Sequence, residues 1–417
     1  MIKKIVLSIV AIILVATIAI ASRYLLAYNG FLDKITTRRP ETKSYEVLVK
    51  EDSEFNTIED LKDKNAGLLK SDTKSALAAE HLNEKVALDF DYYDDLSVLI
   101  GALSNQITDA IVLESDRIEA IKEEDDNLIT DTKTIYTFEI ELSLEDVEIS
   151  SKEITTEPFV VYLSGSDSRH GIKATARSDV NIVAAVNPIT GKILLVSIPR
   201  DTYVQLHGTT GLKDKLTHAG IYGINMSKTT IEDFLNTNID YTIKVSFETV
   251  IKVVDQLDGI DITSDQPLSL RASNGEMCEF IVGTQHVDGN CALRFARERK
   301  SYTAGDRHRG ENQQQVITSI IGRLSQSKDY LLKIPTILDI AADSFETTFS
   351  RDDVSKFLRR QLTNPINWQV KSISINGAGA MHPTYSMGAN RPLYVMLPNA
   401  ESITEASNLI NEYLKNE

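Results

Sequence analysis

The chain has 417 residues, 42% of them hydrophobic and 25% charged, and its formal net charge is -16. This is the composition of an ordinary globular protein, and the length allows two or three domains with cores of their own. The acidity is local, because residues 41–157 contain 31 acidic and 11 basic side chains, which leaves a net +4 on the remainder. The overall negative charge therefore excludes no anionic partner for the rest of the chain.

The first 40 residues predict a membrane anchor. Eighteen uncharged residues, IVLSIVAIILVATIAIAS, follow the opening MIKK, and a helix of that length reaches most of the way across a bilayer. The alternative is a cleaved signal peptide, for which Ala19 and Ala21 supply a cleavage-site pattern, although the apolar run exceeds the usual ~7–15 residues. Basic residues on both sides of the run leave its orientation open.

Residues 41–150 predict a small acidic α/β domain. YEVLVK and DAIVLE are typical of strands, and KSALAAEHLN and DLSVLIGALSN are typical of amphipathic helices. The acidic residues fall mostly between apolar positions, which indicates a solvated face and not a catalytic site. Residues 155–417 are expected to form a second domain. A glycine-containing loop is expected at 376–390.

Three stretches at the start of the second domain predict a shared sheet edge. PFVVYLSGSDSR is a strand that runs into a polar turn, and RSDVNIVAAVNPITGKILLVSIPRD is a β-hairpin with its turn at Asn187–Gly191. If the first strand pairs antiparallel with the second, one edge gathers the charged residues from three strand ends. These are Asp167, Arg169, Arg177, Asp179, Arg200 and Asp201.

This edge has the chemistry of a metal-assisted phosphate site. Asp167 and Asp179 supply hard oxygen ligands of the kind that Mg²⁺ takes, with Mn²⁺ as the alternative ion. Arginine matches phosphate oxygens as a planar fork and stays charged when it is desolvated. The other interpretation is that these residues only form Asp–Arg salt bridges at the mouths of loops, and the edge alone does not decide between the two.

The stretch RFARERKSYTAGDRHR, residues 294–309, favours the phosphate site. Asp288 is expected to begin a helix that carries Arg294 and Arg297 on one face, with Arg299 near its end. Few aromatic residues interleave with these arginines, and some of the basic residues follow an apolar stripe, so a nucleic-acid surface is not expected.

A second helix is expected from about Arg309. Its apolar stripe continues backwards in steps of four residues through Gln313 to Arg309, so both extend the buried face. A solvated charge run would place its arginines opposite the stripe. The alignment therefore indicates a cavity that holds an anion. The apolar stripe consists of Val316, Ile317, Ile320, Ile321 and Leu324.

Cys278 and Cys291 are the two cysteines of the chain. One close pair in an exported domain is a candidate disulfide, and two unrelated buried thiols are the equal alternative. The seven histidines are scattered, and no Cys/His spacing indicates zinc.

The motifs GSDSR, RSD, VSIPRDTYV, IDYTIKVSFETVIKVVDQLDGIDI and ALRFARER…GDRHRGENQQQVI together resemble the LytR-CpsA-Psr (LCP) family. The resemblance spans about residues 158–325, with the motifs in order and at compatible spacing. Residues 41–150 resemble the accessory domain of the streptococcal capsule-type, CpsA-like members in position and α/β pattern. The chain is thus identified by resemblance as a capsule-type member with an accessory domain.

The resemblance implies that residues 155–417 are an α/β catalytic domain with a mixed central sheet flanked by helices. It also implies an enzyme anchored in the cell membrane by one span, with this domain on the extracellular side. Such an enzyme transfers a glycopolymer, here expected to be capsular polysaccharide, from a polyprenyl-pyrophosphate carrier to peptidoglycan with Mg²⁺. The alternatives are a pyrophosphatase or phosphodiesterase that uses water, and a non-catalytic membrane-bound regulator of capsule or wall synthesis. The expected partners are the lipid-linked polymer, peptidoglycan, the membrane and other capsule-assembly proteins.

The family motifs also imply roles for single residues. Asp167 and Asp179 match metal-associated aspartates. From its position beside Arg200, and not from a family motif, Asp201 either acts as a general base or orients Arg200. Where many members read KINAAYAYGG this chain reads KLTHAGIYGIN, so no role is assigned to Lys215. The positions expected to act in catalysis are Arg200, Asp201, Arg297 and Arg299. The positions expected to contact pyrophosphate are Arg169, Arg200, Arg294, Arg297, Arg299, Arg309 and Gln313.

Overall fold

The first part of the chain folds into a five-stranded sheet. The computed structural model describes residues 41–124, 129–142, 150–166, 171–303 and 305–416. The strands of this sheet are β1 (Thr42–Lys50), β2 (Lys64–Leu69), β3 (Leu88–Tyr93), β4 (Ala110–Glu114) and β5 (Thr132–Glu141). Their order is β3-β2-β4-β1-β5, with β2 parallel to its two neighbours and β1 antiparallel to its own. Alternating residues of β1 enter cores on both faces, Val47 on one and Leu48 on the other.

Helices cover this sheet, and they are α1 (Ser75–Asn83), α2 (Leu96–Ser104) and α3 (Ser115–Glu124). The α2 helix begins where Asp95 accepts hydrogen bonds from the backbone of Ser97 and Val98. The strands and helices that the sequence predicts for residues 41–150 agree with these elements. We call residues 41–142 the N-terminal domain.

The second part of the chain is built on a six-stranded mixed sheet. Its order is β16-β11-β6-β7-β8-β17. The strands from residue 159 onward are β6 (Phe159–Ser166), β7 (Val180–Asn187), β8 (Lys192–Ser197), β9 (Tyr203–Val204), β10 (Asp214–Lys215), β11 (Tyr241–Ser246), β12 (Ile260–Ser264), β13 (Leu268–Arg271), β14 (Met277–Phe280), β15 (Gly283–Val287), β16 (Phe345–Thr347), β17 (Gln369–Ser374), β18 (Gly377–Thr384) and β19 (Gly388–Pro398).

Helices lie on both faces of this sheet and bury two apolar cores against it. They are α4 (Leu216–Ala219), α5 (Ile224–Leu235), α6 (Phe247–Gln256), α7 (Gly289–Ala296), α8 (Asp306–Gln326), α9 (Lys328–Ala341), α10 (Arg351–Thr363) and α11 (Ala400–Tyr413). The mixed sheet flanked by helices agrees with the predicted fold class. A third core lies under the β12–β15 strand pair and the β13–β14 hairpin and reaches α7 and α8.

The predicted membrane anchor and the predicted glycine-containing loop have different outcomes. The anchor predicted for residues 1–40 lies outside the described residues, and no helix in the described ranges is long and apolar enough to span a membrane. The loop predicted at 376–390 is wrong, because this segment forms the antiparallel β18–β19 hairpin. The glycines suggested a loop, but Gly377 is required inside the strand pair. A side chain there would meet the backbone of the partner strand at Leu397.

Candidate functional site

The register of the central sheet brings Asp179 and Arg200 together. The β6 strand pairs antiparallel with β7, and β7 pairs antiparallel with β8 through a turn in which the Gly191 N–H donates to the Asn187 carbonyl. Asp179 therefore precedes β7 at the edge where β8 has just ended. Its Oδ1 accepts a hydrogen bond from Nη1 of Arg200 at 2.9 Å. Burial alone would raise the pKa of Asp179, but Arg200 and Arg177 outweigh it and lower that pKa.

The end of α7 presents two arginines to the same region. Asp288 caps the helix by accepting from the Cys291 N–H, as the sequence predicts. Glu298 is buried and binds Arg294 at 2.6 Å and the Ser301 N–H at 2.9 Å. This anchor leaves the residues on either side of Glu298, Arg297 and Arg299, exposed.

A disulfide joins this helix to the neighbouring hairpin. Cys278 of β14 is bonded to Cys291 of α7. The helix α7, which Arg297 caps at its C-terminal end, is therefore fixed covalently to β14. The Arg297 guanidinium lies 4.6 Å from the centre of the Phe247 ring, a cation–π distance.

The α8 helix carries Arg309 and Gln313 towards the sheet. Gln314 holds the helix on the sheet through its amide nitrogen, which donates to the carbonyls of Leu195 and Ile373. Arg309 is buried and pairs with Asp306 one turn earlier. Burial lowers the pKa of Arg309, and Arg200 and Arg299 lower it further, while Asp306 and Asp179 oppose the shift. The cationic side chains thus crowd one another, and a bound anion would relieve that repulsion.

These elements enclose a cavity of about 440 Å³. Five of its lining side chains are cationic and two are carboxylates. Such an excess of positive charge in a half-buried cavity favours a polyanion. The lining residues are Asp179, Arg200, Asp201, Lys215, Phe247, Arg297, Arg299, Arg309, Gln313 and Tyr394.

Three of these lining residues were not predicted from the sequence. Lys215 is almost fully buried, and its Nζ lies 3.4 Å from Oδ1 of Asp201, whose Oδ2 is 4.0 Å from Nε of Arg200. A buried lysine beside the Arg-Asp motif is visible in the sequence only through its place in KLTHAGIYGIN. Phe247 begins α6, and Tyr394 comes from β19, about 200 residues further along the chain than Arg200.

Three predicted site residues are placed differently or not described. Asp167 and Arg169 lie outside the described residues. Arg294 does not line the cavity; its guanidinium binds Glu298 and the carbonyl of Arg271. Its side chain lines an adjacent cavity of about 370 Å³ that shares Arg297 with the main one. Arg294 lies one turn before Arg297 on the same side of the helix, and its bonds to Glu298 and the Arg271 carbonyl hold its guanidinium outside the main cavity.

The described carboxylates fit a magnesium ion only as part of a larger ligand set. No group of three or more His, Cys, Asp or Glu side chains within the described ranges is arranged to hold a metal. Mg²⁺ in phosphate sites commonly takes one or two carboxylates and completes its shell with water and phosphate oxygens. Asp179 lines the cavity, and its lowered pKa keeps it ionised. It fits the role of a single carboxylate ligand.

Comparison with known proteins decides the family. The sequence model of the LytR_cpsA_psr family matches residues 116–402. The chain belongs to the LytR_cpsA_psr family. The match begins inside α3 and continues through the sheet and helices that form the cavity.

Relatives of this LytR_cpsA_psr chain include proteins named as teichoic acid transferases. It is 33% identical over 225 residues to the polyisoprenyl-teichoic acid–peptidoglycan teichoic acid transferase TagU of Bacillus mycoides, covering 53% of this chain and 71% of the relative. TagV of B. subtilis superposes with a TM-score of 0.52 at 27% identity, over 62% of this chain and 98% of TagV. TagT bound to LIIa-WTA gives a TM-score of 0.52 at 25% identity, over 66% and 99%.

Proposed function

We propose that this chain transfers a glycopolymer from a polyprenyl-pyrophosphate carrier to peptidoglycan. The observation that carries the proposal is the convergence of five cationic side chains on one cavity beside Asp179 and Asp201. A pyrophosphate is an anion of the charge and geometry that such arginines bind. The relatives named as teichoic acid transferases support the reaction class.

In the proposed reaction, a hydroxyl of peptidoglycan attacks the phosphorus that bears the glycan. The new O–P bond forms while the bond to the bridging oxygen breaks, and the polyprenyl phosphate leaves with that electron pair. The hydroxyl proton passes to water. Negative charge grows on the leaving phosphate, where Arg200 and Arg309 inside the cavity and Arg297 and Arg299 at its mouth offset it.

Two further groups take supporting roles in this proposal. Asp201 lies between Arg200 and Lys215, so we assign it to holding these cations in place and not to proton transfer. Mg²⁺, held by Asp179 with Asp167 as the expected second ligand, would supply charge neutralisation on the pyrophosphate.

The finer assignments rest on the sequence resemblance. We propose capsular polysaccharide as the polymer because residues 41–150 resemble the accessory domain of capsule-type members. Teichoic acid, the polymer in the names of the relatives, is the alternative. We also propose that residues 1–40 anchor the chain in the cell membrane with the catalytic domain outside, where both the carrier headgroup and peptidoglycan are accessible.

The test is Mg²⁺-dependent turnover of a glycan-loaded polyprenyl pyrophosphate by the full chain, compared with the variants Arg299→Ala and Lys300→Ala. Both residues are exposed neighbours, but Arg299 lines the cavity and Lys300 is not among its lining residues. We expect Arg299→Ala to lose about 10²–10³-fold in rate and Lys300→Ala to keep full activity. Normal turnover by Arg299→Ala would show that this cavity is not the active site.

The products separate the alternatives. A glycan–peptidoglycan conjugate supports the transferase, and free glycan phosphate in the presence of peptidoglycan indicates a pyrophosphatase or phosphodiesterase. Tight binding of the lipid pyrophosphate without any turnover would indicate a regulatory module instead.

A further inference from the structure

A buried guanidinium lies where the N-terminal domain meets the catalytic domain. Arg117 of α3 is fully buried and pairs with Glu114 of β4 through two of its nitrogens. Its Nη1 donates to the backbone carbonyl of Ser386, and its Nη2 lies 3.4 Å from the Tyr222 hydroxyl. A buried charge that loses a partner is strongly destabilising, so the Ser386 carbonyl and the Tyr222 hydroxyl link this charge of the N-terminal domain to the second domain.

Ser386, which accepts a hydrogen bond from Arg117, also contacts Asp214, just before α4, and His218, within it. The Ser386 N–H donates to Oδ2 of Asp214 at 2.8 Å, and its hydroxyl lies 2.8 Å from Nδ1 of His218 and 3.2 Å from Oδ1 of Asp214. The neighbouring Tyr385 N–H donates to the Lys213 carbonyl at 2.9 Å. The turn of the β18–β19 hairpin is therefore fastened to residues 213–218.

The same segment holds the cavity side chains. Lys215 follows Asp214 directly and contacts Asp201. The two residues after Lys215 bind the neighbours of Asp201. The Leu216 N–H donates to the Thr202 carbonyl and the Thr217 N–H donates to the Arg200 carbonyl, both at 2.9 Å. Both the backbone and the side chains of residues 214–217 thus set the position of the Arg200–Asp201 loop.

The β19 strand makes a second link between the domains. Met387 and Leu393 are buried in a core of the N-terminal domain, and Asp95 accepts from the Ala389 N–H at 2.9 Å. The residue after Leu393 is Tyr394, which lines the cavity. Two residues later, the Met396 N–H donates to the Asp201 carbonyl at 2.8 Å.

We propose that Arg117 is a positioning residue for the pyrophosphate cavity, and that the N-terminal domain acts through it. Arg117 holds Ser386, Ser386 holds Asp214, and Asp214 fixes Lys215 against Asp201. Arg117 itself touches no cavity residue through these contacts. The proposal rests on the proposed function only in naming the ligand of the cavity.

The test compares backbone hydrogen exchange and pyrophosphate binding in the full chain and in the variants Arg117→Met, Arg117→Lys and Ser386→Ala. Leu82→Ala is the matched control, because Leu82 lies in the other core of the N-terminal domain and opens a cavity away from the hairpin. All proteins are measured at a temperature where circular dichroism shows them folded, so that lost global stability does not affect the comparison.

We expect Arg117→Met to speed exchange in peptides covering residues 199–217 and to weaken binding of inorganic pyrophosphate with Mg²⁺ about tenfold, as for one lost charged hydrogen bond. Arg117→Lys should recover part of both effects, and Ser386→Ala, which leaves the buried charge paired, should show them more weakly. Leu82→Ala should speed exchange only within the N-terminal domain.

The exchange measurement needs no ligand, so it separates the two proposals. Wild-type exchange at residues 199–217 in folded Arg117→Met and Ser386→Ala would overturn the positioning role, even if the chain proves to be a transferase. Faster exchange there would support it, even if the wild-type chain binds no pyrophosphate and the proposed function fails. If Arg117→Met does not fold, Arg117→Lys decides the outcome by the same measurement, because it keeps the buried charge but loses the two-nitrogen pairing with Glu114.

Discussion

Asp179 and Arg200 face each other at the end of the β7–β8 ladder, with Oδ1 of Asp179 2.9 Å from Nη1 of Arg200. Both side chains are largely buried yet line the cavity. The pair raises the pKa of Arg200 against the effect of burial, so the guanidinium stays charged inside the protein. The pairing of β7 with β8 thus places one fixed cation and one fixed carboxylate at the same edge of the central sheet.

We predict that Asp179→Asn destabilises the fold and weakens its response to Mg²⁺. The variant leaves the Arg200 charge without this carboxylate, which should cost about 1–3 kcal/mol in the free energy of unfolding. Urea unfolding with and without Mg²⁺ plus inorganic pyrophosphate measures both effects. The control is Asp233→Asn, which breaks an exposed pair with His207 and should change neither. Equal stabilisation of the wild type and Asp179→Asn by Mg²⁺ would contradict the metal assignment.

The sequence predicts the part of the site that local pairing builds. The Asn187–Gly191 turn fixes the β7–β8 register, and that register places Asp179, just before β7, at the same end of the sheet as Arg200, which follows β8. The step of four residues along α8 likewise predicts that Arg309 is buried. Tyr394 could not be found this way, because its strand reaches the cavity through packing on the N-terminal domain. The burial of Arg117 could not be predicted either, because an arginine in an acidic helix is usually expected on the surface.

We predict that losing the disulfide destabilises α7. Cys278 and Cys291 are 13 residues apart, and closing a loop of that size stabilises a fold by about 3 kcal/mol. The double variant Cys278→Ala/Cys291→Ala should lower the free energy of unfolding by about that amount, as measured by urea unfolding. Reductant should destabilise the wild type in the same way and leave the double variant unchanged. An effect of reductant on the double variant would show that another process is responsible.

We predict that Asp116→Asn stabilises the chain at neutral pH and not at pH 4. Burial raises the pKa of Asp116 to about 7, with Glu119 adding to the effect and Arg177 and Lys244 opposing it. An ordinary pKa of 3.8 in the unfolded chain means that only the folded state keeps this proton between about pH 4 and 7. Stability from this group is therefore lost as pH rises through that window and stays constant above it.

The amide of Asp116→Asn cannot ionise and so avoids that loss. The difference in unfolding free energy between variant and wild type should be near zero at pH 4. It should then grow to no more than about 4 kcal/mol at pH 8, by about 1.36 kcal/mol for each pKa unit. Thermal unfolding of both proteins across this range measures it. A difference that does not vary with pH would mean that Asp116 is ionised throughout.

We predict that Gly220→Ala displaces residues 176–178, the segment that leads into Asp179. Gly220 ends α4 with an ordinary helical φ of -64°, so its glycine is not required by the backbone angle. An added Cβ would lie 2.2 Å from the Ala176 carbonyl oxygen and 2.8 Å from the Ser178 nitrogen, both backbone atoms. The segment that leads into Asp179 must then move, at a cost of about 1–3 kcal/mol, and Mg²⁺-dependent pyrophosphate binding should weaken with it.

Gly322→Ala is the matched control for that change. Gly322 lies inside α8 with open space around the added Cβ, so alanine should stabilise the helix by about 0.5–1 kcal/mol and leave binding intact. Urea unfolding and pyrophosphate titration of both variants separate the effects of helix propensity from those of crowding. If Gly220→Ala matched Gly322→Ala in both measurements, the close contact between α4 and residues 176–178 would not be what holds Asp179 in place.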